Sequence, residues 1–268
     1  MKDIIRGCIP PIVSKCFAAG GFRKYGWFGD YKAWEDVRKI SKGYDSDIIL
    51  EKVREACMRV KNGKAMCERD SVLFEKIEYS WPLLAGLMWI AASEEGRLDI
   101  IDFGGSLGTS YFQNRFFLKT LKEINWNIVE QRHFVECGRK WFEDDRLKFY
   151  EAIEDCLNAR IANTILFSNV VQYVEKPYDL ISKAVNMGFK YIIFDKTAFN
   201  SSANGDRLTI QRVNPDIYDA SYPCWFLDQD RFKKIIKGKY DLIDEFINFE
   251  NVTNLHGQIF KGFIYKLI

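Results

Sequence analysis

From Leu98 onward, short apolar runs alternate with amphipathic stretches, and this alternation limits the fold of the 268-residue chain more than any other feature. Leu98–Phe103, Asn127–Glu130, Leu147–Tyr150, Thr164–Phe167 and Lys190–Phe194 read as strands. Between them, Ser110–Ile124 and Phe134–Asp144 read as helices. A strand followed by a crossover helix returns to the sheet parallel to its predecessor, so repetition of the unit builds a parallel sheet covered on both faces. Beyond Asp195 the pattern loosens into a polar segment, Asn200–Asp219. It ends in two strand-like runs, Tyr240–Phe249 and Gln258–Ile268, expected to pair as an antiparallel edge. The expected class is therefore α/β: a doubly wound, mostly parallel sheet with an antiparallel C-terminal edge. A helical N-terminal extension over residues 1–95 is expected to precede the main domain, residues 96–268. In Ser46–Val60, Ile49, Leu50, Val53, Cys57 and Val60 recur at helical spacing, with Asp45, Ser46 or Asp47 as the candidate cap.

Composition narrows the function classes. Apolar residues make up 47% of the chain and charged residues 28%, enough to bury a core. The 39 basic residues exceed the 37 acidic ones by only two, which argues against a chain dedicated to nucleic-acid backbones. The longest apolar run, Trp81–Ala92, contains Pro82 and is too short to cross a bilayer, so it is expected to be a core helix. Lys2, Asp3, Arg6, Lys15 and the Pro10-Pro11 break are unlike a secretion signal. The seven cysteines form no C-x-x-C pair and read as reduced structural thiols, so a cytoplasmic protein is expected. With two histidines in the chain, no metal centre is expected.

The most informative stretch is Asp102-Phe-Gly-Gly-Ser-Leu-Gly108, a strand running into a glycine turn with a helix directly after. Glycine allows positive φ and close backbone approach, so a ligand can lie against the main chain and the helix N-terminus. The G-x-G-x-x-G dinucleotide spacing is absent, since Ser106 stands where a middle glycine would. Such a turn is also often no more than a tight connection. Glu130 closes the next strand, 22 residues beyond Gly108. A carboxylate there can accept hydrogen bonds from both hydroxyls of a nucleoside ribose, or be an ordinary solvated loop glutamate. A third element is the fourth strand with its exit, Ile165–Val174.

In this order the three elements resemble the class I S-adenosylmethionine (SAM)-dependent methyltransferases. Asp102–Gly108 matches their first motif, Glu130 their ribose-binding acid, and Phe167–Val174 the segment of their fourth strand. The resemblance implies a Rossmann-like fold and SAM as cofactor, held by Asp102, Gly104, Gly105, Ser106, Gly108, Glu130, Gln131, Glu151, Ser168 and Asn169. Ser106 in the turn and Gln131-Arg132-His133 after the acid depart from the usual pattern. A narrower resemblance spans residues 22–268. Trp27–Trp34, Gly43–Asp45, Cys67–Ser71 and Tyr222–Phe226 are similar to the signatures of a bacterial methyltransferase family encoded among genes for O-antigen, capsule and other surface polysaccharides. It implies methylation of a polysaccharide precursor, on a sugar hydroxyl or on a phosphate or phosphoramidate oxygen. The partner would be a small molecule or a nucleotide-activated sugar.

A sulfonium methyl is already activated, so such an enzyme chiefly aligns its acceptor. A hydroxyl acceptor gains from a general base, whereas a charged oxygen needs cations to position it. The candidate catalytic residues are His256, Asp195 and Tyr173, Asp195 because ligands of open α/β sheets bind beyond the strands' carboxyl ends. His133 is a candidate neighbour of the adenosine. Gln172 and Lys196 at the same rim, with Arg69 and Arg207, are the candidate acceptor contacts, and Arg212 joins the two arginines as a candidate phosphate grip, a guanidinium fork matching phosphate oxygens. Glu68-Arg69-Asp70 is either a polar lid element or a solvated face. Two other readings stand beside the methyltransferase: an NAD-dependent sugar-modifying enzyme, and a non-catalytic nucleoside-binding partner of an assembly complex, for which the aromatic segments Phe22–Trp34 and Tyr222–Phe226 would suit an interface.

Overall fold

A computed structural model describes residues 24–43, 47–69, 71–201, 205–217, 219–248 and 258–268. Asp45, Ser46, Asp70 and His256 lie outside them, as do the side chains of Asp47 and Arg69. The chain falls into two compact units: residues up to Tyr44 with Leu208–Cys224, and Asp45–Arg207 with Trp225–Ile268.

In the smaller unit, strand β1 (Gly26–Tyr31) and helix α1 (Trp34–Ile40) join most of β9 (Arg207–Arg212) and β10 (Ser221–Phe226). β1 pairs antiparallel with β9 in a three-stranded sheet of order β1-β9-β10. Trp27 donates its indole N–H to Gln211 at 3.1 Å, and the Arg212 guanidinium lies over the Phe28 ring. The strands of this sheet were not legible as such: two are short and aromatic, and β9 sits in the segment read as loose and polar.

The larger unit is built on a seven-stranded sheet of order β11-β12-β8-β7-β4-β5-β6. Its parallel strands are β4 (Arg97–Phe103), β5 (Glu123–Val129), β6 (Leu147–Tyr150), β7 (Thr164–Ser168) and β8 (Tyr191–Asn200). β11 (Tyr240–Ile247) and β12 (Gln258–Leu267) form the expected antiparallel edge, β12 running antiparallel to β8 as well. The helices are α2 (Asp47–Lys61), α3 (Trp81–Ser93), α4 (Thr109–Leu118), α5 (Arg132–Trp141), α6 (Ile153–Ala159), α7 (Pro177–Met187) and α8 (Gln229–Ile236). Ile101, Ile165, Phe167, Ile192, Phe194 and Phe263 are buried at the sheet centre, which is why these strands read as continuous apolar runs. α3 is the expected core helix, with Pro82 in its first turn. No described helix is long and apolar enough to cross a membrane, and the five described cysteines are free.

Three expectations are corrected. The helix read over Ser110–Ile124 stops at Leu118, because Leu121 turns back to Leu118 and Lys122 donates to the Gly96 carbonyl, launching β5 at Glu123. β8 does not end at Phe194 but continues to Asn200, its outer half held by β12. Residues 67–74, read as helical, form a hairpin of β2 (Cys67–Arg69) and β3 (Val72–Phe74).

β8 also carries a bulge. Phe194 pairs with Phe263 and Thr197 with Lys261, so Asp195 and Lys196 together face Gly262. Lys196 takes a φ of 52° there. The bulge falls at the end of the part of β8 that pairs with β7, the level at which neighbouring strands end.

Candidate functional site

The site is assembled where β4, β5 and β7 end and β8 bulges. After Phe103 the chain turns through Gly104 (φ 71°), whose N–H donates to the Val129 carbonyl at the end of β5, 2.9 Å away. A Cβ on Gly104 would stand 2.4 Å from Val170 in the exit of β7, so the turn and that exit meet only because the residue is glycine. Gly105 has no room for a side chain either: a Cβ would lie 2.6 Å from the Asp102 carboxyl packed beneath it. Ser106 has a φ of 53°, outside the usual range for a residue with a side chain. Gly108, at φ 101°, is the N-cap of α4 and has no side chain with which to cap the helix's first turn. The N–H groups of a helix start suit a carboxylate.

Asp102 is fully buried. Its Oδ2 accepts the Trp126 indole N–H at 3.0 Å, while Oδ1 has no hydrogen-bond partner among the described residues. Burial raises its pKa to about 7; the Trp126 bond opposes the rise and the charges of Glu130 and Asp195 add to it. Glu130 ends β5, half-buried, and accepts the Gln131 backbone N–H at 2.6 Å. Burial raises its pKa too, against stabilising bonds from the backbones of Gln131 and Ser106. The glycine turn and the strand-end carboxylate are therefore one structure.

On the other side of β4, Ser168 ends β7 opposite Asp195 of β8. The Ser168 hydroxyl donates to Asp195 Oδ2 at 2.9 Å, and Ser80 and Asn248 donate to Oδ1 at 3.3 and 2.9 Å. Asn169, with a φ of 55°, donates its N–H to the Asp195 carbonyl at 2.9 Å. Gln172 is fully buried, donating through Nε2 to Asn169 Oδ1 at 2.7 Å and to the Lys196 carbonyl at 3.2 Å. It ties together the turns after β7 and at the β8 bulge, from beneath the rim. Tyr173, half-buried, ends the short 3₁₀ turn Val171–Tyr173.

The sequence candidates thus gather in two groups joined through Val170 and Gly104: Asp102, Gly104–Gly108 and Glu130 on one side, Ser168, Asn169, Gln172, Asp195 and Lys196 on the other. Gln131 and Glu151 are exposed beside the first group, the Tyr150 carbonyl accepting the Glu130 N–H at 3.0 Å. His133 is half-buried in the first turn of α5, its ring against Phe134 and its Nε2 without a hydrogen-bond partner among the described residues. Arg207 is half-buried at the start of β9.

Sequence reasoning missed Trp126, Ser80 and Asn248, which serve the two buried acids. Ser80 had a signal, standing directly before the Trp81-Pro82 helix start; Asn248 lay within a strand-like run and Trp126 within a helix-to-strand join. Glu68 corrects the solvated-face reading. It is 6% exposed, and its carboxylate accepts from the Thr109 hydroxyl in the first turn of α4 and from the Ser71 N–H at 3.2 Å.

This architecture recurs in solved structures. The N-terminal domain of EvdMO1, crystallised in the presence of SAH and D-fucose, superposes with a TM-score of 0.50 at 12% identity, covering 83% of this chain and 98% of that one. The two chains share a Rossmann-like α/β fold. A SAM-dependent methyltransferase from Clostridium acetobutylicum matches with a TM-score of 0.43 at 13% identity, over 71% of this chain and 92% of that one. The glycopeptide N-methyltransferase MtfA complexed with SAH gives 0.46 at 9%, over 74% and 94%. No family model and no curated protein sequence matches the chain.

Proposed function

We propose that the chain is a SAM-dependent O-methyltransferase acting on a surface-polysaccharide precursor, at a sugar hydroxyl or at a phosphate or phosphoramidate oxygen. The observation that carries this reading is the glycine turn of residues 104–108 lying directly beside the Glu130 carboxylate. The donor set fits the cofactor. The N–H groups at the start of α4, behind a glycine N-cap, suit the carboxylate of an amino-acid moiety, the Glu130 carboxylate suits ribose hydroxyls, and the buried acids Asp102 and Asp195 suit a cationic centre. When bound, SAM supplies a methyl group on a positively charged sulfur. Gly104–Gly108, with Asp102 packed below, shape the floor of the site, while Ser168 and Asn169 border it across β4. Gln131, His133 and Glu151, near Glu130, are the residues that would border the base attached to that ribose. The helical segment within residues 1–95 contributes cover through the β2–β3 hairpin, which Glu68 fastens to α4.

Support for a carbohydrate acceptor comes from the narrower sequence resemblance and from the D-fucose present with the EvdMO1 domain. The same reading places the enzyme in the cytoplasm, where activated precursors are made. Comparing the surface polysaccharide by mass spectrometry with and without the gene tests the proposal. The expected change is the loss of one methyl group from a defined residue, and an unchanged methylation pattern would contradict it.

A further inference from the structure

We infer that the methyl acceptor is an uncharged hydroxyl group whose proton leaves through the Ser168 hydroxyl to the Asp195 carboxylate. This rests on the methyl-transfer reading and specifies it, choosing between its two acceptor classes and naming the route of the proton.

Two observations carry it. The first is access. Asp195 is 1% exposed, so its carboxylate touches no acceptor directly. Of the three side chains that donate to it, Ser80 and Asn248 are themselves buried, whereas Ser168 is half-buried at the open end of β7. Among the described residues, Ser168 is therefore the link between the Asp195 carboxylate and the rim. A serine hydroxyl donates one hydrogen bond and accepts up to two. With its proton committed to Asp195, its lone pairs are the part left to meet a ligand O–H. The strained φ at Asn169 and Lys196, on either side of this pair, and the Gln172 cross-link between them hold the geometry in place.

The second is charge. Among the described Asp, Glu, Lys, Arg and His side chains, those that are buried are Glu68, Asp102 and Asp195, all carboxylic acids. Asp102 and Asp195 flank the β4–β7 strand ends, and Glu130 stands at the end of β5. The Glu130 and Asp195 carboxylates outnumber the Lys196 cation in the bulge, so this surrounding favours a cationic methyl donor over an anionic phosphate or phosphoramidate oxygen.

In the reaction the acceptor oxygen forms a bond to the methyl carbon as the carbon–sulfur bond breaks, its electron pair returning to a neutral thioether sulfur. The hydroxyl proton passes to Ser168 Oγ, and the Ser168 proton passes to Asp195 Oδ2. Ser168 is the catalytic residue; Asp195 acts through it.

The test offers the wild-type enzyme methyl-labelled SAM with an equimolar mixture of methyl α-D-fucoside, methyl α-D-glucoside, fucose 1-phosphate and glucose 1-phosphate. Calorimetry of the SAH-loaded protein with each of the four gives a readout independent of turnover. The expected result is binding of, and label on, a neutral glycoside alone. S168A should lower kcat by about a hundredfold, a larger change than in KM; S168T should recover much of the loss, and the wild-type solvent isotope effect on kcat should shrink in S168A. Label on a sugar phosphate, or wild-type kcat in S168A, would overturn the inference while leaving methyl transfer standing. A wild-type protein that does not bind SAH removes the methyl-transfer reading itself, and this inference with it.

Discussion

Asp102 shows how far the fold alters a single side chain. A carboxyl that ordinarily loses its proton near pH 3.8 keeps it to about pH 7, chiefly because no water reaches it. The unfolded chain releases that proton near the ordinary value. Between pH 3.8 and about 7 the folded state therefore binds more protons than the unfolded one, and the Asp102 contribution to stability falls as pH rises through that window. The side-chain amide introduced by D102N does not titrate, yet its carbonyl can still accept the Trp126 N–H. This variant should thus gain on the wild type as pH rises from 4 to 7, by on the order of a few kcal/mol, and hold that gain above pH 7. Urea unfolding at a series of pH values checks this, and a pH-independent difference would contradict it. At this scale the sequence was legible where backbone conformation dictates the residue, as in Gly104 and Gly108. It was opaque where a role depends on a distant donor: nothing local to Trp126 or Asn248 announces a buried acid across the sheet.

Elements carry the site by where they end and where they deviate. The β8 bulge sets Asp195 opposite Ser168, and the β12 residue it faces is Gly262, where a Cβ would stand 2.0 Å from the Phe246 ring on β11. G262A should cost about 1–3 kcal/mol of stability through overpacking. Because β12 is the strand that holds the bulge, its amides and those of Asp195 and Lys196 should lose hydrogen-exchange protection together. Retained protection around residues 194–197 would show that the bulge does not depend on β12. The parallel strands were readable because both faces are covered, leaving apolar runs. The hairpin of residues 67–74 was not, since three-residue strands carry no period to read. β8 beyond Phe194 was missed because its pairing partner on β12 lies far along the chain, Thr197 pairing with Lys261 and Asn200 with Gln258.

For the molecule as a whole, strand order decides the site. The sheet reverses direction of growth between β4 and β7, with β5 and β6 on one side and β8 on the other, and open α/β sheets take their ligands at such a switch point. The Phe167–Phe194 stack, with ring centroids 5.2 Å apart, lies beside it, and Phe194 also meets Phe232 at 4.9 Å. F194A should lower Tm by on the order of 10 °C, the effect of losing a buried aromatic from a central strand. Thermal unfolding followed by circular dichroism measures it, and a shift of less than about 3 °C would mean this layer is not the core. Alternation alone foretold a parallel sheet with an antiparallel edge, while the second, smaller sheet stayed hidden because its strands come from distant parts of the chain. The central claim is that the turn of residues 104–108 and Glu130 form a single nucleoside seat. Calorimetric titration of wild type and E130A with SAH and with NAD tests it most directly. The account predicts micromolar binding of SAH and none of NAD by the wild type, and SAH affinity at least tenfold weaker in a folded E130A; equal affinity in the two proteins, or a preference for NAD, would contradict it.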